Sequence, residues 1–135
     1  MSDTIKEAFN KVEADINELQ ERVATLENKQ VTDGKKKVVV TGAAGFIGSH
    51  TAEDLADDHD VLGFDNVNDY YNQSQKQQNI EAIRDAGVRF ERRDIRDETT
   101  YDRIVEYDPD IIIHIAAMAG VRWSLNKPEK YIDVN

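Results

Sequence analysis

The chain contains no cysteine. That excludes a disulfide framework, a thiolate metal site and a cysteine nucleophile, and no metal site of any kind is expected. No apolar run approaches the ~20 residues needed to cross a bilayer. The opening stretch, MSDTIKEAFNK, lacks both the cationic and the apolar segments of a secretory leader. These absences point to a cytoplasmic protein with no membrane partner. Positive charge is also scarce: 17 Lys and Arg face 27 Asp and Glu, for a formal net charge of −10. The deficit is spread, with −4 over residues 1–34 and −6 over 35–135. Such a surface repels phosphate backbones, so nucleic acid is not an expected partner. With 135 residues, 39% hydrophobic and 33% charged, there is room for one ordinary domain plus an appendage.

What is present falls into two segments with different periods. Early in the chain, apolar residues recur at Ile5, Phe9, Val12, Ile16, Leu19, Val23 and Leu26, in alternating steps of four and three. This is the seam of a heptad helix, with Phe9, Ile16 and Val23 at a and Ile5, Val12, Leu19 and Leu26 at d. Thr4 followed by Glu7 reads as a capping box, and Asp33-Gly34 as the stop. β-Branched residues prevail at a and Leu occurs at d, which points to self-association through residues 5–26, as a dimer first. Arg22 at g and Glu27 at the following e would pair across two parallel helices. The same stripe would also serve an amphipathic helix packed on its own domain.

A helix is therefore expected over 1–30 and a polar linker over 31–36, within VTDGKKK. From Lys37 on, short apolar runs alternate with helical stretches. KVVVT (37–41), DVLGFD (60–65), VRFERR (88–93) and DIIIHIA (110–116) read as strands. The first and last are nearly continuous in Val and Ile, as in strands buried on both faces. Helices are expected over 46–57, 73–86 and 98–107. Ile47, Thr51 and Leu55 share one face of the first, and Ile80 and Ile83 one face of the second, which stops at Gly87. Asp97 caps the third, which buries Tyr101, Ile104 and Val105. A last helix begins near Lys127-Pro128, with proline in its first turn. This alternation predicts an α/β fold with a parallel sheet over residues 37–135. His114, inside an apolar strand, is expected to be a hydrogen-bonded core residue.

The stretch TGAAGFIG places Gly42, Gly45 and Gly48 in the turn after the first strand and in the first turn of the next helix. One glycine permits turn angles closed to other residues. A second keeps side chains away from a helix N-terminus, where free N–H groups and the helix dipole favour an anion. A third allows close packing of helix on strand. The gap suits a diphosphate; a plain tight turn is the simpler alternative. Asp65 ends the second strand, 17 residues after Gly48. A carboxylate there can accept both ribose hydroxyls and would repel a 2′-phosphate, which favours NAD over NADP. RRDI (92–95) ends the third strand with Asp94 placed toward an adenine edge.

The spacing Gly42-x-x-Gly45-x-x-Gly48 resembles the extended short-chain dehydrogenase/reductase superfamily. With FDNVNDYYN, RRDIRD and DIIIHIAAMAGVRWSLNKPEKYIDVN in order, residues 37–135 look like NAD-dependent sugar-nucleotide epimerases of the epimerase/dehydratase family, UDP-glucuronate 4-epimerases above all. Residues 1–36 fall outside the likeness. The resemblance implies a partial Rossmann fold, the first four strands of a doubly wound parallel sheet. It implies Gly42, Gly45, Phe46, Ile47 and Gly48 at the NAD pyrophosphate, and Asp65 with Asn66 at the adenosine ribose. It puts Asp94 and Ile95 at adenine, and Ala116, Ala117 and Ala119 along the nicotinamide. Arg122 would lie near the entering nucleotide sugar. The family tends to have an apolar residue at Thr51, Gly at Asp58 and Tyr at Trp123. Asp58 would close its turn in a left-handed conformation.

In that family a Tyr with a Lys four residues on takes the sugar hydroxyl proton, and a Ser or Thr holds the reacting oxygen. Four residues beyond Tyr70, Tyr71, Tyr101, Tyr107 and Tyr131 stand Ser74, Gln75, Val105, Ile111 and Asn135. No catalytic residue is therefore assigned. The chain is expected to be a truncated, nucleotide-binding portion, not competent for turnover, with DIIIHIA left as a sheet edge. The competing reading is a coiled-coil-driven oligomeric or assembly protein carrying an inactive Rossmann fragment.

Overall fold

A computed structural model of the protein describes residues 3–135, with side chains outside 26–33. Leu26, expected at d, and Glu27, expected to pair with Arg22, lie outside the described residues as to their side chains. The chain divides into two compact units, Met1–Lys35 and Lys36–Asn135.

The first unit is one helix, α1 (Asp3–Asp33). It runs three residues into the stretch expected as linker and ends at the Asp33-Gly34 stop. Thr4 lies inside the helix and does not cap it. Ile5, Phe9, Val12, Ile16, Leu19 and Val23 are each 50–71% exposed, so the stripe is solvent-facing along its described length.

The second unit is a four-stranded parallel sheet with helices on both faces. The strands are β1 (Lys37–Thr41), β2 (Asp60–Asp65), β3 (Arg89–Arg92) and β4 (Ile111–His114), in the order β3-β2-β1-β4. Three helices form the crossovers: α2 (Phe46–Ala56), α3 (Gln73–Asp85) and α4 (Glu98–Tyr107). Period-two alternation along β1 divides the core. Val38 and Val40 join Ala43, Ala52, Val61, Ile83 and Val88 under α2 and α3. Val39 joins Leu62, Phe64 and Tyr107 under α4. The second half of the unit ends in two short helices, α5 (Val121–Asn126) and α6 (Pro128–Val134). The proline-led helix was legible; α5 was not, being a six-residue turn opened by Gly120 at φ 107°.

Several local expectations are corrected. α2 buries Gly48, Ser49 and Ala52, while Ile47 is 64% exposed, because Gly48 has to face the loop before it. α4 buries Thr100 and Tyr107, leaving Tyr101 69% and Val105 59% exposed. The inward stripe is thus Thr100, Ile104 and Tyr107, one helical face at spacings of four and three. Asp97 holds the N-cap position of α4 but makes no side-chain cap bond. Asp58 does not adopt a left-handed conformation; among described non-glycine residues Val67 and Asp108 do, both at φ 52°. β4 is not buried on both faces. It pairs only with β1, and Ile111 and Ile112, on opposite faces, are 45% and 52% exposed, since an edge strand has a neighbour on one side alone. His114, on the same edge, is exposed rather than core.

Candidate nucleotide site

The C-terminal ends of parallel strands in an open α/β sheet form its natural crevice, and here β1 ends there between β2 and β4. Gly42 turns the chain at φ 73°. A Cβ at that position would lie 2.8 Å from the Ala116 amide nitrogen, so the loop after β4 can close against β1 only over a glycine. Gly48 is bound more tightly still: a Cβ there would stand 2.0 Å from the Gly42 carbonyl oxygen. The first turn of α2 is thereby pressed onto the loop. Gly45 takes the N-cap position, donates to the Gly42 carbonyl at 3.0 Å and offers no capping side chain. The first amides of α2 have no intrahelical acceptors by helix geometry, and they open beside the exposed Phe46 and Ile47.

Asp65 is 8% exposed and faces this loop. Its Oδ2 accepts from the Ala44 amide at 3.2 Å, and its Oδ1 from the Val67 amide at 2.7 Å. Lys76 of α3, equally buried, stands 3.4 Å from Oδ1 and 3.1 Å from Asn68 Oδ1. Two donors already fill Oδ1, which leaves one lone pair free, on Oδ2. The expectation that this carboxylate takes both ribose hydroxyls at once is therefore too generous, unless the longer Lys76 contact yields. Lys76 carried no signal in the sequence: it sits in QSQKQQN, a stretch that reads as a solvated helix face. The same holds for Asn79, whose Nδ2 donates to the Ala44 carbonyl at 2.9 Å and braces the loop from α3.

Asn66 connects the ribose and adenine ends assigned by resemblance. Its Nδ2 donates to Asp94 Oδ2 at 3.1 Å. Asp94 also takes a bidentate pair from Arg96, at 2.9 and 2.7 Å, plus the Arg96 backbone amide at 3.0 Å. These hydrogen bonds from Arg96, led by its side chain, hold the carboxyl far below the usual carboxylate range despite its partial burial. Arg96 continues to Asp133 of α6 at 2.6 Å. Ile95, next to this cluster, is half-buried.

On the β4 side, Thr41 organises the strap. Its buried Oγ1 accepts from the amides of Ile115 and Ala116, both at 3.1 Å. The Thr41 hydroxyl also pairs with His114 Nδ1 at 2.7 Å. Ala116 is half-buried, and Ala117 and Ala119 are exposed. The Ala119 carbonyl accepts from two tyrosines, Tyr70 from the loop after β2 and Tyr131 from α6 at 2.8 Å. Desolvation and the adjoining Tyr70 hydroxyl push the Tyr131 phenol up to about 12. Gly120 leaves room for this clasp, since a Cβ there would meet the Tyr70 hydroxyl at 2.6 Å. Trp123 meets the Tyr70 ring edge-on at 6.4 Å. Arg122 is exposed and has no ion pair among the described residues.

The structure thus gathers Gly42, Gly45, Gly48 and Asp65 at one crevice, with Asn66 and Asp94 beyond them and Ala116 opposite. Arg122 is not drawn into that network. No cluster of three or more potential metal ligands occurs among the described residues.

Parallel strands in this order, with a glycine loop opening the first crossover helix, define a Rossmann-like α/β domain. The chain belongs to the NAD dependent epimerase/dehydratase family, whose model matches residues 38–135. It is 40% identical over 102 residues to a probable UDP-glucuronate 4-epimerase of Rhizobium meliloti (strain 1021), covering 73% of this chain and 30% of that one. Among solved structures it resembles a tyrosine-to-phenylalanine variant of UDP-glucuronic acid 4-epimerase from Bacillus cereus, in complex with a UDP-4-deoxy-4-fluoro-glucuronic acid and NAD. That match has a TM-score of 0.63 at 34% identity and covers 70% of this chain and 31% of the other. A UDP-N-acetylglucosamine 4-epimerase from Methanobrevibacter ruminantium M1 matches with a TM-score of 0.62 at 32% identity, covering 75% and 30%. The chain therefore spans about three tenths of the length of these relatives.

Proposed function

We propose that residues 37–135 are the NAD-binding portion of a sugar-nucleotide epimerase of the UDP-glucuronate 4-epimerase kind, an isomerase acting in the cytoplasm. One observation carries this: a loop after β1 with no room for a Cβ at Gly42 or Gly48, and the buried Asp65 carboxylate hydrogen-bonded to its Ala44 amide. The residues fit the cofactor. The Gly42–Gly48 loop, with Phe46 and Ile47 at its rim, would hold the diphosphate. Asp65 and Asn66 would hold the adenosine ribose, Asp94 and Ile95 would border adenine, and Ala116, Ala117 and Ala119 would border the nicotinamide. Bound NAD would supply a reversible hydride acceptor for a sugar carbon. Arg122, exposed and free of ion pairs among the described residues, suits the diphosphate or carboxylate of a nucleotide sugar. No tyrosine of this sequence has a lysine four residues on, so binding without turnover is the expected behaviour of the chain by itself.

Thermal unfolding in the presence of millimolar NAD⁺ tests the reading. A rise in midpoint that grows with cofactor concentration, and is smaller with NADP⁺, supports it. No shift with either nucleotide overturns it. A second reading, favoured by the exposed seam of α1, adds self-association through residues 5–26 to what the chain does.

A further inference from the structure

We infer that α1 docks with a second copy of this chain as a parallel, in-register, two-stranded coiled coil; this rests on the self-association reading and narrows it. With 3.6 residues per turn, the seam positions from Ile5 to Leu26 fall within an arc of about 100°. A helix that lies on a globular surface commonly adds apolar residues at e or g to those at a and d. A seam confined to a and d fits another helix wound around it. The positions beside the seam are polar or small: Lys6, Glu13 and Gln20 on one side, Ala8, Asp15 and Arg22 on the other. Wider bundles bury those flanks, so their polarity favours two strands over more. Ile16 and Val23 at a with Leu19 at d agree; Phe9 is the layer that departs.

Charge selects the direction. In a parallel pair each g residue meets the e residue five positions on in its partner. Ala8 then faces the partner copy's Glu13, and Asp15 the partner copy's Gln20, so no like charges meet among the described residues. The antiparallel overlap that keeps all six layers pairs position 5 with 23, 9 with 19 and 12 with 16. It sets Glu13 beside its own copy and Asp15 beside its own copy. Like charges so placed oppose that arrangement. Each of the six seam residues from Ile5 to Val23 is at least half exposed in a single chain, which is the surface such a pair would remove from water.

Sedimentation equilibrium of the full chain tests the inference. The expected mass is twice the 15.4 kDa of one chain. Ile16→Lys with Leu19→Lys should lower the association constant at least a hundredfold, while Ile16→Val should leave the pair intact. Unfolding followed by the single tryptophan, Trp123, should be unchanged in both, showing an intact α/β unit. Because the chain has no cysteine, Ile5→Cys adds a single thiol. Mild oxidation should join two chains through it only if both helices run the same way. A monomer in the unsubstituted chain overturns self-association altogether. A dimer that survives the double Lys substitution overturns the seam. Three or more chains overturn the two-stranded pairing alone, and a dimer that resists cross-linking overturns the parallel direction alone.

Discussion

Asp65 holds two roles that compete for one carboxylate. It staples the glycine loop to the residues after β2 through the Ala44 and Val67 amides, and it is the only acidic partner of the buried Lys76 among the described residues. Removing one member of a buried pair leaves an uncompensated charge and costs about 3–5 kcal/mol. Asp65→Ala is therefore expected to destabilise the α/β unit by that order, read from urea unfolding, before any question of cofactor arises. Asp94 is different because Arg96 holds its folded-state pKa far below the ordinary value of 3.8. A depressed carboxylate pKa stabilises the fold fully above the unfolded-state value, and that contribution is lost as pH falls from there toward the folded-state value. The stability gap between the unsubstituted chain and Asp94→Asn should thus be larger at pH 7 than at pH 3. A gap that stays the same at both would show that the carboxylate's charge is not what Arg96 reads.

Among the elements, β2 and β4 show how position outweighs composition. Leu62 in β2 is fully buried beneath α4, in the cluster with Val39 and Phe64. Leu62→Ala should cost about 2–5 kcal/mol. Ile112 in β4 is as apolar but 52% exposed, and Ile112→Ala should cost well under half as much in the same unfolding measurement. Equal losses would mean that β4 is covered in solution, by a second chain or by further structure. From the sequence, β4 reads like β1: both are runs of Val or Ile with strand propensity. What separates them is the number of neighbours. β1 lies between β2 and β4 with helices on both faces, whereas β4 has β1 alone. The helices were legible in their extents, each within a residue or two for α2, α3 and α4. Their buried faces were less so, because the hydrophobic stripe of α2 was displaced by the demand that Gly48 meet the Gly42 carbonyl.

At the scale of the whole molecule, the net charge of −10 repels itself, and both units carry it. Screening by salt reduces that repulsion, with a Debye length of about 10 Å at 0.1 M and 3 Å at 1 M. The thermal midpoint should therefore rise between 0.05 and 0.5 M potassium chloride, measured by circular dichroism. A falling midpoint would show that ion pairs such as Arg89–Asp60 and Arg103–Glu91 outweigh the general repulsion. The described helices include none long and apolar enough to span a membrane.

By itself the sequence determined the α/β class, the strand and helix succession, the glycine loop and the separate period of α1, because these depend on local spacing and on which residues tolerate a turn. Only the tertiary structure decided that Lys76 and Asn79 brace the glycine loop, that Thr41 pins the strap after β4, that Tyr70 and Tyr131 share one carbonyl, and that His114 is exposed. Those contacts join residues up to 75 positions apart, and hydrogen-bond partners at that range are set by which strands lie side by side. Periodicity carries no record of that arrangement.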